Sequence, residues 1–137
     1  MLFWLKGLAF KRQITKQQRI EFLNKICVVN AKKTSGGHTS NYSEIQSEAH
    51  NSQERLIRQI EIYNPDIVIC CGTASIYFDD IFEVKAPAWK MSSRGIWFVR
   101  EVNRIIVSYA HPEARVKDCL LYYGLIDAVR EILGGIE

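Results

Sequence analysis

Pro65-Asp66-Ile67-Val68-Ile69-Cys70-Cys71-Gly72 is the stretch that decides the fold. Its five central residues are apolar without alternation, which marks a strand covered on both faces, as in a parallel sheet. Gly72 closes the run, and Asn64-Pro65-Asp66 separates it from the segment before. On that side, Leu56, Ile57, Ile60 and Tyr63 recur at helical spacing, and Asn51 with Glu54 forms a capping-box signature. The spacing predicts an amphipathic helix over 52–63. On the other side the Gly72-Thr73 turn predicts a short helix over 73–80.

Two further apolar runs accompany this strand. Ile26-Cys27-Val28-Val29 ends at Asn30, and Ile105-Ile106-Val107-Ser108-Tyr109 ends at Ala110-His111-Pro112. Thr15 caps a predicted helix through Asn24. Residues 31–50 read as polar, with 35–41 a loop. Gly95-Ile96-Trp97-Phe98-Val99 reads as an edge strand or hairpin arm. Val116, Leu120, Tyr123, Ile126 and Val129 trace a last helix, ended by Gly134-Gly135. Strand and helix alternation predicts an α/β fold: a three-layer sandwich with a mostly parallel central sheet flanked by helices. Ligands of such sheets bind beyond the carboxyl ends of the strands, which groups Asn30, Gly72 and His111.

The chain has 137 residues, 47% of them hydrophobic, enough for one core, so a single domain over 1–137 is expected. No apolar run approaches the roughly 20 residues of a membrane span. The cysteines at 27, 70, 71 and 119 form no C-x-x-C pair and no zinc spacing, so neither a metal nor another cofactor is expected, and a reduced, cytoplasmic setting is. Charge is uneven: residues 1–33 carry +7 and the remainder −4. The basic N-terminal segment, residues 1–25, fits a surface that meets phosphates, although a solvated helix face produces the same pattern.

Three segments together resemble the uracil-DNA glycosylase superfamily. Ile26 through Gly37 is similar to its strand ending in an asparagine before a glycine-bearing loop. Pro65 through Ala74 resembles its proline, apolar strand, glycine segment, and Val107-Ser108-Tyr109-Ala110-His111-Pro112-Glu113-Ala114-Arg115 its strand ending in His-Pro before a helix. The segments occur in the family's order and cover roughly residues 24–133.

The resemblance implies recognition of a flipped uracil or related base in DNA, with hydrolysis of its N-glycosidic bond as the family's reaction. Asn30 would read the base, since its amide offers a donor and an acceptor to N3–H and O4. His111 would be the catalytic residue, stabilising charge that develops at O2. Lys32, Lys33, Gly72, Thr73 and Arg115 would bind DNA phosphates. For each residue alone the plainer reading is structural: Asn30 as a turn residue, His111 as a satisfied histidine before a helix.

The chain departs from the family at the water-activating loop. Only 29 residues precede Asn30, and Met1 to Lys25 hold no Asp, no Pro and only Gly7. Glu113 stands where many relatives carry serine. Whether the protein is an enzyme is therefore open. The alternatives are a non-catalytic nucleobase or nucleic-acid binding module, and a structural domain forming homo-oligomers through an exposed sheet edge.

Overall fold

The computed structural model describes residues 15–34, 41–111 and 117–134. Helix α1 (Lys16–Leu23) starts at Thr15, whose hydroxyl accepts from the Gln18 amide while the Gln18 side chain accepts from the Thr15 N–H. Helix α2 (Tyr42–Asn51) lies where the sequence reads only as polar, just past the expected loop. Asn41 caps it, its Oδ1 accepting from the Glu44 N–H at 2.8 Å. Helix α3 (Gln53–Tyr63) follows after one residue. Ser52 sits at its start with no side-chain cap bond, in place of the expected Asn51–Glu54 box. Asn64 ends α3 at φ 38°, a left-handed conformation that asparagine tolerates, and Pro65 prevents continuation.

The sheet contains β1 (Ile67–Cys71), β2 (Lys90–Met91), β3 (Trp97–Arg100) and β4 (Ile105–Tyr109), in the order β1-β4-β3-β2. Strands β1 and β4 are parallel, with Ile67 opposite Ile105 and Cys71 opposite Tyr109. Strand β3 is antiparallel to both β4 and β2. The sheet is thus mixed rather than mostly parallel. Trp97–Arg100 occupies an interior position, hydrogen-bonded on both sides, because the turn at Ser92–Gly95 folds it against β2. Gly95, at φ 75°, supplies the left-handed residue this turn needs.

The expected strand Ile26–Val29 does not join this sheet. Its residues lie outside the ladder, and only Val29 is buried while Val28 is 52% exposed. Val29 instead packs with Ala49, Leu56, Ile76 and Ile81. A β-branched run with one buried side chain has little to hold it in register against a sheet.

Helices cover both faces of the sheet. On one face Ile67, Ile69, Cys71, Phe98, Ile105 and Val107 meet Val129 and Ile132 of α4 (Asp118–Gly134). On the other, Val68, Cys70, Val99 and Ile106 meet Ile60 of α3 with Tyr77 and Phe78. Those two aromatics belong to a wide-turn π-helix, Ile76–Ile81, where the sequence predicts an ordinary short helix. Its open turn is visible in the Phe82 N–H donating to the Tyr77 carbonyl, five residues back. In α4, Ile126 and Val129 face inward as expected, whereas Tyr123 is 62% exposed.

The β2–β3 turn is held against α4 by a set of polar contacts. The Ser93 N–H and hydroxyl both donate to the Glu131 carboxylate, and Arg94 pairs with Asp127 at 3.3 Å. Arg100 donates to the Ile132 carbonyl. Among the described residues no helix is long and apolar enough to cross a membrane.

Candidate functional site

The parallel pairing of β1 with β4 brings the ends of two apolar runs together. The Gly72 N–H donates to the Tyr109 carbonyl at 2.8 Å, extending the pairing one residue past β1. Gly72 then turns at φ 69°, a conformation costly for any residue with a β-carbon. His111, two residues beyond Tyr109, lies beside it. A β-carbon built on Gly72 would be 3.8 Å from the His111 β-carbon. The His111 side chain is exposed. Two of the sequence-derived site residues therefore share one strand end.

Asn30 reaches the same end by a different route. Val29 and Ala31, its neighbours, line a small void with Cys70 and Thr73 at the end of β1, closed by Leu56, Ile60, Ile76, Tyr77 and Ile81. This places Asn30 alongside the carboxyl end of β1 although its segment is not a strand. Asn30 itself is exposed, next to the buried Val29. The void, about 20 Å³, is apolar and has room for about one water molecule, so it is too small to be the base pocket.

The lysines are committed to neighbouring helices. Lys32 forms an ion pair with Glu44 of α2, its side chain only 11% exposed. Lys33 donates from Nζ to Gln59 Oε1 of α3 at 2.7 Å. Burial holds the Lys33 amine below the usual lysine range, with nearby Cys27 acting the other way. In this arrangement both amines stitch the Asn30 segment to the helices beneath it. Thr73 is half-buried at the start of the turn, and its carbonyl accepts from the Tyr77 N–H. Arg115 lies outside the described residues.

Two contacts at this end escape the sequence reading. The Tyr42 hydroxyl is hydrogen-bonded to Ser75 Oγ, laying the start of α2 against the turn after β1. The Tyr109 hydroxyl donates to the Leu121 carbonyl, fixing the first turns of α4 over the end of β4. A signal for the first existed in Asn41 and Glu44, a helix-start spacing. None existed for the second, which joins residues on separate elements.

Thiol chemistry is confined by burial. Cys70 is pushed up to about 12 and Cys71 also upward, in both cases chiefly because burial disfavours the thiolate. Among the described residues no group of three or more His, Cys, Asp or Glu side chains is arranged to hold a metal ion.

No protein-family model matches the chain, and no curated protein or solved structure matches it.

Proposed function

We propose that this chain is a uracil-DNA glycosylase-like domain that receives an extruded uracil or related base at the carboxyl ends of β1 and β4, between Asn30 and His111. The observation that carries this reading is the apposition of Gly72 and His111 at the ends of a parallel strand pair, with the Asn30 segment running up to the same end. Helices on both faces of the sheet are in keeping with the three-layer sandwich of that superfamily.

In this reading the exposed Asn30 amide discriminates uracil from cytosine by donating to O4 and accepting from N3–H. His111 faces O2 and stabilises negative charge there. The Gly72 turn keeps the backbone low, so that a nucleotide can approach it. Gly72 and Thr73 border the DNA backbone with Arg115, and Lys32 and Lys33 join them by exchanging Glu44 and Gln59 for phosphate. The setting is reducing and cytoplasmic, in line with three free cysteines among the described residues.

Recognition is the primary activity in this proposal, because no residue is identified that would orient the attacking water. The test is uracil-containing single-stranded DNA, with release of free uracil and equilibrium binding measured in parallel. Binding that prefers uracil over cytosine and falls in Asn30→Ala supports the domain as a base reader. Uracil release lost in His111→Ala extends it to a glycosylase. Absence of both binding and release overturns it.

A further inference from the structure

From Val84 to Arg100 the chain carries Lys85, Lys90, Arg94 and Arg100 and no Asp or Glu, with Trp89, Met91 and Trp97 set among them. This segment leads into the β2–β3 hairpin and forms it. Its two tryptophans have different fates. Trp89 is half-buried and packs edge-on against Phe78, with ring centroids 5.1 Å apart. Trp97 is 50% exposed, and Met91, its partner across the β2–β3 ladder, is more exposed still. Residues directly opposed on one face have β-carbons about 5 Å apart, so the indole and the thioether form one uncovered apolar surface.

The position of this surface follows from strand direction. Strand β3 runs antiparallel to β4, with Phe98 opposite Val107. One step further along that register sets Trp97 against Ser108, three residues before His111, or about 10 Å of strand. Trp97 and Met91 thus stand at the same end of the sheet as Gly72 and His111. Lys90 is exposed and opposite Phe98, so it projects to the other face of β2, the edge strand. Arg94 and Arg100 are turned onto α4, to Asp127 and the Ile132 carbonyl, and hold the hairpin there. Lys85 and Lys90, both exposed, have no ion-pair partner among the described residues.

We propose that the hairpin is a platform for single-stranded DNA, on which an unpaired base stacks against Trp97 beside Met91 while Lys90 and Lys85 meet the backbone phosphates. Stacking on an exposed ring needs a base whose face is open, which a duplex does not offer. The two-residue edge strand lets one DNA strand wrap it, with a base on the Trp97 side and phosphate on the Lys90 side. The charge favours DNA over a second copy of this chain, since a two-fold contact through the hairpin would bring two sets of these lysines together. The surface is built from the hairpin's own residues and stands whether or not Asn30 and His111 read uracil. If they do, a single DNA strand runs over both places.

The experiment measures fluorescence anisotropy of a labelled oligodeoxycytidylate of about 12 nucleotides with the intact chain, over a range of salt. Cytosine is the base that the Asn30 amide would reject, so the readout is separate from uracil recognition. The expected result is salt-dependent binding that weakens roughly 5- to 100-fold in Trp97→Ala and is largely kept in Trp97→Phe. Lys90→Gln is expected to reduce the slope of log affinity against log salt by about 0.7, the share of one single-strand phosphate. A duplex of the same sequence should bind no more weakly to Trp97→Ala than to the unmodified chain. Circular dichroism checks that each variant is folded. Equal oligonucleotide affinity for Trp97→Ala and the unmodified chain overturns the proposal. So does a dimer in sedimentation that Trp97→Ala dissociates, which would assign the surface to a second copy. If Trp97→Ala does not fold, an unchanged salt slope in Lys90→Gln overturns it equally.

Discussion

Gly72 and His111 meet at the ends of neighbouring parallel strands, with 3.8 Å between the His111 β-carbon and the place a β-carbon on residue 72 would occupy. That spacing is ordinary contact, so an added methyl group has room. The restriction at residue 72 is its left-handed backbone. Gly72→Ala is therefore expected to lose about 1–2 kcal/mol in urea unfolding from backbone strain alone. The same added loss is expected in a His111→Gly background, which removes the β-carbon that residue 72 faces, since the two changes add if no clash couples them. A loss that disappears in the double variant would locate the problem in the side chains instead.

The apolar cluster beneath the Asn30 segment depends on Leu56, which is 1% exposed. Leu56→Ala is expected to cost about 2–5 kcal/mol by leaving a hole beside an existing void. Ile62, on the same helix but 64% exposed, is the control. Ile62→Ala should change stability by less than about 0.5 kcal/mol. Equal losses at the two positions would contradict the packing described.

Native-state alkylation should rank the cysteines by burial. Iodoacetamide is expected to modify Cys27 before Cys70 and Cys71, which are labelled only after unfolding, because both are buried and burial pushes the Cys70 thiol up to about 12. Peptide mapping after a short pulse reads the order directly. Labelling of Cys70 at the rate of Cys27 would mean that β1 is open to solvent.

Acid should weaken the contact between the β2–β3 turn and α4. The two bonds from Ser93 hold the Glu131 carboxyl below the usual glutamate range near 4.5. A depressed carboxylate adds stability that is complete above its unfolded value and is lost as pH falls through the folded one. Thermal melts between about pH 6 and 3 should show a smaller acid-induced drop for Glu131→Gln than for the unmodified chain. Glu101 works in the opposite sense, since burial raises it, and its contribution declines as pH rises above 4.5 toward the folded value. Glu101→Gln removes that opposing trend and separates the two.

Much of the chain was legible because burial on both sides leaves a plain mark. Ile67–Cys71 is buried at every position, and Ile105–Val107 nearly matches it, so both runs lack the alternation of a half-covered strand. Helix α2 was hidden for the converse reason. Only Ala49 in it is buried, and so its apolar periodicity is faint. Ile26–Val29 has the β-branched composition of a paired strand, but pairing depends on a partner's free edge and on both faces being covered, and only Val29 of this run is buried. The direction of Trp97–Arg100 was likewise set by contacts with β2 and β4 that no local pattern encodes. At the candidate site, Gly72 and His111 could be read from strand ends. The engagement of Lys32 by Glu44 and of Lys33 by Gln59 could not, since each joins residues more than ten positions apart.

The polar contacts between the β2–β3 turn and α4 divide the molecule into two halves of different resilience. Ser93, Arg94 and Arg100 reach Glu131, Asp127 and Ile132, all in the second half of α4. Local opening there should release the hairpin and that half of the helix as one cooperative unit, with shared amide-exchange rates for Val99 and Val129. The end carrying Gly72 and His111 is tied separately, through Tyr109 to Leu121. Breathing of the hairpin can thus proceed while the Tyr109–Leu121 bond holds the other end of β4 in place.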